Sequence, residues 1–198
     1  GYTLAIGAGH LDSARFEELV GQARGAAAGG ALDDASRLFG DALGLWRGDA
    51  LGDLAYEPSL SGEAARLEEV RMTAIEERVD IDLARGHHAE SVAQIEALVH
   101  AHPRRERLRG QLMLALYRAG RQGDALQAYR DARQALVDEL GVEPGPALRE
   151  LEAAILRQDA ALAAAPARWP RLRDRSRRVR ALLVIGGAAL VAAAAGGP

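Results

Sequence analysis

Two glycines 34 residues apart, Gly86 and Gly120, each separate two stretches whose apolar residues recur at helical spacing. Counting forward from each glycine, offsets of 5, 9 and 12 lead to Ser91, Ile95 and Leu98, and to Ala125, Tyr129 and Ala132. The same count from Gly30 gives Ala35, Phe39 and Ala42. A small residue, a large one, then a small or medium one therefore recur on the second helix of each pair. A chain with this pattern is built from paired helices that need each other, because one such pair cannot bury its apolar face alone.

The spacing is that of tetratricopeptide-like hairpins, in which the small position lets the facing helix approach and the large one fills the groove between repeats. Gly30 and Gly86 are 56 residues apart, so the third repeat is read as degenerate. The expected fold class is all-α, with antiparallel helical hairpins and about seven helices. Composition agrees, since alanine and leucine abound, only 4% of residues are aromatic, and β-branched residues are sparse.

The pass along the chain gives helices near residues 12–28, 32–46, 59–85, 88–100, 104–119, 123–140 and 146–158. Asp12 or Ser13 can cap the first, which carries Phe16, Leu19, Val20 and Ala23 inward. The third shows one stripe, Leu60, Ala64, Leu67, Val70, Ala74 and Ile81, broken by Glu77. Leu126, Tyr129, Leu136 and Val137 are expected inward on the sixth. Gly141 suits a helix C-terminus and Pro146 a first turn. Residues 1–9 differ: Tyr2-Thr3-Leu4-Ala5-Ile6 reads as a short strand belonging to something upstream.

Charge divides the chain further. Residues 1–160 hold 27 carboxylates and 18 arginines, a net of −9, whereas residues 161–180 hold seven arginines and Asp174, a net of +6. Residues 181–198 carry no charge. Residues 160–180 read as a linker, Ala/Pro-rich and then basic through Arg171, Arg173, Arg175, Arg177, Arg178 and Arg180. An arginine run before an apolar stretch places its own side of a membrane helix inside the cell. Eighteen helical residues rise roughly 27 Å, close to a bilayer core of about 30 Å. Two readings stand for residues 181–198: a C-terminal helical membrane-type segment, or an Ala/Gly linker. We take the first, with a cytoplasmic domain anchored to the cell membrane through residues 181–198, its N-terminal side inside.

Catalytic chemistry finds little purchase. There is no Cys, no phosphate-binding loop and no nucleophile elbow. His87-His88 and His100-x-His102 flank one helix and sit at its opposite ends. Adjacent carboxylates such as Glu68-Glu69 and Glu76-Glu77 diverge around a helix. No cofactor, metal site or enzymatic activity is expected. Two stretches can touch partners. Arg104, Arg105, Arg107 and Arg109 cluster at a helix start, where they can meet phosphate or pair with neighbouring acids. Trp46-Arg47-Gly48 opens an irregular stretch from Asp49 to Pro58: either Trp46 is core filler, or this loop is a partner-facing edge.

A family resemblance rests on particular runs. These are Leu45-Trp46-Arg47-Gly48 with Ala50-Leu51 and Asp53-Leu54, residues 63–69, Arg105-Glu106-Arg107-Leu108, Gln111 to Arg118, Gly120-Arg121-Gln122, Ala125-Leu126, Tyr129, and Glu139-Leu140-Gly141-Val142-Glu143-Pro144-Gly145. Residues 1–158 resemble the bacterial transcriptional activator domain of actinobacterial SARP-type antibiotic-biosynthesis regulators. The resemblance implies a helical domain over residues 10–159 that follows a winged-helix DNA-binding domain, of which residues 1–9 would be the end. It implies partners: RNA polymerase, a second copy, and DNA only through the upstream domain. The expected function is a non-catalytic effector domain. The rival is a general helical-repeat scaffold with no part in transcription.

Overall fold

In a computed structural model of the chain, residues 11–163 are described. All regular structure among them is helical. Eight α-helices follow in order: α1 (Asp12–Ala28), α2 (Leu32–Gly44), α3 (Ser61–Ala84), α4 (His88–Ala101), α5 (Glu106–Arg118), α6 (Gln122–Leu140), α7 (Pro146–Leu156) and α8 (Ala160–Ala163). A 3-10 helix, Gly52–Tyr56, lies between α2 and α3. Among these residues no helix is long and apolar enough to cross a membrane. The readings of residues 1–9, of the arginines from Arg171 to Arg180 and of residues 181–198 lie outside the described residues.

The hairpin corners share one geometry. After α1, Gly30 N–H donates to Ala27 O and Ala31 N–H to Ala26 O. After α3, Gly86 N–H donates to Leu83 O and His87 N–H to Asp82 O. After α5, Gly120 N–H donates to Tyr117 O and Arg121 N–H to Leu116 O. Each pair of bonds is a Schellman motif, which satisfies the last carbonyls of a helix when the next residue turns left-handed. The three glycines have φ of 81°, 89° and 78°. The hairpin at Gly30 thus has the same corner as the others, despite its irregular spacing. Gln158 makes a fourth corner with φ 52° and the same two bonds, to Ile155 O and Ala154 O.

Alanine at Gly120 meets open space, so its cost is backbone strain alone. Gly120→Ala should lower stability by about 1–2 kcal/mol. Gln158→Gly should raise it by under ~1 kcal/mol, the relief being offset by a freer unfolded chain. Urea midpoints measured by far-UV circular dichroism check both, and equal midpoints for all three proteins would contradict the shared corner.

The core follows the hairpins. Phe16, Leu19, Val20 and Ala23 of α1 pack with Phe39, Ala42 and Ala74, and Trp46 lies against the same cluster. Ala35, Ile95, Ala125 and Ala132 are fully buried, Tyr129 nearly so, and Leu98 is half-buried. Every residue of α5 from Leu108 to Leu116 is buried, so this helix is surrounded on all sides.

Several expectations need correction. Neither Asp12 nor Ser13 caps α1: the cap position is Leu11, without a side-chain bond, and Asp12 pairs with Arg47 instead. Val137 is exposed, and α6 buries Ala125, Tyr129, Ala132 and Leu136. On α3 the single stripe is too narrow. Met72, Glu76, Val79 and Leu83 are buried as well, because α3 has α1 and α2 on one side and α4 and α5 on the other. Residues 160–163 are not plain linker: they form α8 against α5, where Arg118 Nε donates to Leu162 O at 2.8 Å. That makes eight α-helices in place of about seven.

Candidate partner interface

The sequence singles out Trp46, Arg47, Arg104, Arg105 and Arg107, and the fold puts them to different uses. Trp46 follows α2 and meets Phe16 edge to face, with centroids 5.2 Å apart at 88°. The Arg71 guanidinium stands 4.6 Å from the Trp46 ring centroid, a cation–π contact from α3. The indole also touches the small cluster of Ala50, Ala64 and Leu67. Trp46 is thus the joint between α1, α3 and the following loop. Its neighbour Arg47 points outward, with 84% of its side chain exposed, and pairs with Asp12 at 2.6 Å.

The arginines at the start of α5 are drawn inward by acids that α3 holds on one face. Glu69, Glu76 and Asp80 are spaced 7 and 4 residues apart, about two turns and one turn of helix. Arg105 forks onto Glu69 through both terminal nitrogens and reaches Glu76 at 3.6 Å. Arg107 donates to Asp80 at 2.6 Å and lies 3.6 Å from Glu76. Buried Gln111 donates through Nε2 to Glu76 O at 2.7 Å and to Asp80 Oδ1 at 2.6 Å. Arg109 is buried, with Nε donating to Pro103 O at 2.8 Å. Burial pushes the Arg109 guanidinium below its ordinary value. Arg104 stays outside, 69% exposed, and pairs with Glu139 of α6 at 3.1 Å. Arg105 and Arg107 therefore staple α5 to α3, while Arg104 and Arg47 remain at the rim.

Trp46 and Arg47 are not brought together with this staple. Arg71 and Glu68 serve the loop side of α3, with Glu68 accepting the Ala50 N–H at 2.7 Å. Glu69, Glu76 and Asp80 serve the α5 side. Glu106 makes one more tie, accepting the Gly145 N–H at 2.7 Å and fixing the turn into α7.

Burial pushes the Glu76 carboxyl above its ordinary value, against the opposing pull of Arg107 and Arg105. A raised value means the folded chain holds this proton more tightly than the unfolded chain does. The group's contribution to stability is therefore present at acid pH and lost as pH rises through the raised value. Glu76→Gln removes this titration. The stability of Glu76→Gln relative to the unsubstituted chain should improve as pH climbs from below about 4.3 toward neutrality. Urea unfolding at several pH values checks it, and a difference that stays flat or falls would contradict the direction.

Sequence reasoning did not pick out three exposed apolar side chains of the loop: Leu51 at 36%, Leu54 at 56% and Tyr56 at 89%. All three stand in the 3-10 helix or at its start. Spacing gave no warning of their exposure, because residues three apart such as Leu51 and Leu54 equally mark the buried face of a helix. Among the described residues no group of histidines and carboxylates is arranged to hold a metal ion.

Stacked hairpins, an interior closed by ion pairs and a loop with exposed apolar side chains define a helical-repeat domain. Residues 11–156 match the family described as the bacterial transcriptional activator domain, and the chain belongs to that family. It is 47% identical to the regulatory protein AfsR of Streptomyces coelicolor over 82% of this chain and 16% of that protein. It is 44% identical to the regulatory protein DnrI of Streptomyces peucetius over 80% of this chain and 58% of that protein. A solved structure of Mycobacterium tuberculosis EmbR, in complex with a low-affinity phosphopeptide, superposes with a TM-score of 0.77 at 38% identity, covering 82% of this chain and 44% of that one. The chain thus spans less than two thirds of each of these relatives.

Proposed function

We propose that this chain supplies the non-catalytic effector domain of a transcription regulator and acts through protein–protein contacts. The observation that carries the proposal is the family match across residues 11–156, that is, across nearly all of the helical array. Its partners are RNA polymerase and a second copy of the chain. DNA is contacted through a winged-helix domain preceding residue 10, because a helical block of net −9 repels phosphate. Arg47 and Arg104 belong to the partner-facing rim. Trp46, Arg105 and Arg107 act indirectly, holding the loop and α5 in place.

Membrane anchoring is part of the same reading, with the N-terminal side in the cytoplasm. It rests on the seven arginines that precede the uncharged residues 181–198. Fractionation of the full-length protein tests it: a pool released by carbonate would sink the anchor and leave the effector role standing. The effector role is tested by reporter transcription and by binding of the full-length protein to purified polymerase. Deleting residues 11–163 should abolish activation and polymerase binding while DNA binding by the remainder persists. Full activation without them would overturn the proposal.

A further inference from the structure

We propose that the loop between α2 and α3 is a docking knob for a protein that offers an apolar slot edged by lysine or arginine. This deepens the effector reading and rests on it, because it says which element meets the partner and what chemistry receives it.

The period of the 3-10 helix sorts its side chains. Residues three apart eclipse one another. Leu54 N–H donates to Leu51 O and Glu57 N–H to Leu54 O, both at 3.1 Å, so Leu51, Leu54 and Glu57 share a side. Asp53 and Tyr56 share a second side. On the third side Gly52 is exposed and Ala55 packs inward against Ala50, Ala64 and Leu67. Two of three sides therefore carry large apolar groups into solvent, each beside a carboxylate.

The base of the loop is held. Ala50 is buried and its N–H is bound by Glu68 at 2.7 Å. Arg71 donates to Gly48 O at 3.3 Å while standing over Trp46. Leu51 takes φ 61°, a left-handed conformation that a branched side chain rarely adopts, and Gly52 follows at 52°. Sequence-local preference would not choose this turn, and its visible result is to aim Leu51 and Leu54 outward. Strained residues that persist on a rigid base are a mark of functional surfaces.

Charge selects the occupant. Asp49, Asp53 and Glu57 are exposed and have no ion pair or side-chain hydrogen bond among the described residues. Arg47, the cation of the loop, is committed to Asp12. Three carboxylates around Leu51, Leu54 and Tyr56 repel nucleic acid and anionic lipid. They favour a slot whose apolar floor takes the leucines and the tyrosine and whose rim is cationic.

The test uses the full-length protein and purified actinobacterial RNA polymerase holoenzyme, with binding read by interferometry at several salt concentrations. Leu54→Ser with Tyr56→Ser should weaken binding about tenfold or more. Asp49→Asn, Asp53→Asn and Glu57→Gln together should slow association and flatten its salt dependence. Unchanged circular dichroism midpoints show that these exposed substitutions leave the fold intact. If the unsubstituted protein binds polymerase and every variant binds equally, the docking knob is wrong and the effector reading survives. If the unsubstituted protein does not bind polymerase, both fail. If the serine variant loses only self-association in sedimentation, the occupant is a second copy and this proposal is overturned.

Discussion

Phe39→Ala should destabilise the domain by about 3–5 kcal/mol, the range for emptying a buried aromatic site. Phe39 is 1% exposed and packs with Phe16, Leu19, Val20, Ala23, Ala42 and Ala74. These residues come from α1, α2 and α3, three rigid helices that cannot all move in to close the cavity. The loss should lower the urea midpoint without changing the dependence on urea. Leu38→Ala, half-buried on the same helix, should cost clearly less. Similar losses for the two would mean that the large position of the hairpin does not carry the packing between repeats.

Arg107→Ala should cost about 2–4 kcal/mol, because removing one partner strands buried charge. Glu76 is 5% exposed and would keep only Arg105, at 3.6 Å. Asp80 would lose its 2.6 Å partner, and only Gln111 would still donate to it. Some exposure of Arg107 itself keeps the expected loss below that of a fully buried pair. A second substitution, Glu76→Gln, should return a substantial part of the loss by removing the stranded charge. A double-mutant cycle in urea measures this coupling. A double variant whose loss is the sum of the two single losses would show that Arg107 and Glu76 do not depend on each other.

The hairpins were legible because their corners are written locally. A glycine that must turn left-handed stands at the end of each of three apolar stripes, and the corner bonds at Gly30, Gly86 and Gly120 follow from it. The inward face of α1 was legible in full, since α1 buries one side and one stripe describes it. α3 and α5 were harder for a physical reason. A helix between two layers buries two faces, and its second face need not be apolar when ion pairs can fill it. Glu76 reads in sequence as one of two adjacent surface acids, yet Arg105 and Arg107, some thirty residues away, make it interior. Nothing local announces that. The exposed leucines of the loop were hidden in the opposite sense: Leu51 and Leu54 look like core until the chain turns at a left-handed leucine.

The unbroken burial of α5 also bears on motion. Arrays of hairpins open from their ends, since an outer pair has a neighbour on one side only. An amide exchanges its hydrogen when the segment around it opens. Residues Leu108 to Leu116, enclosed by α3, α4, α6, α7 and α8, should open last and hold their hydrogens longest. The slow centre of the domain is then the helix that also carries the arginine staple. A ligand or partner that loosens either end would leave this middle as the fixed frame of the array.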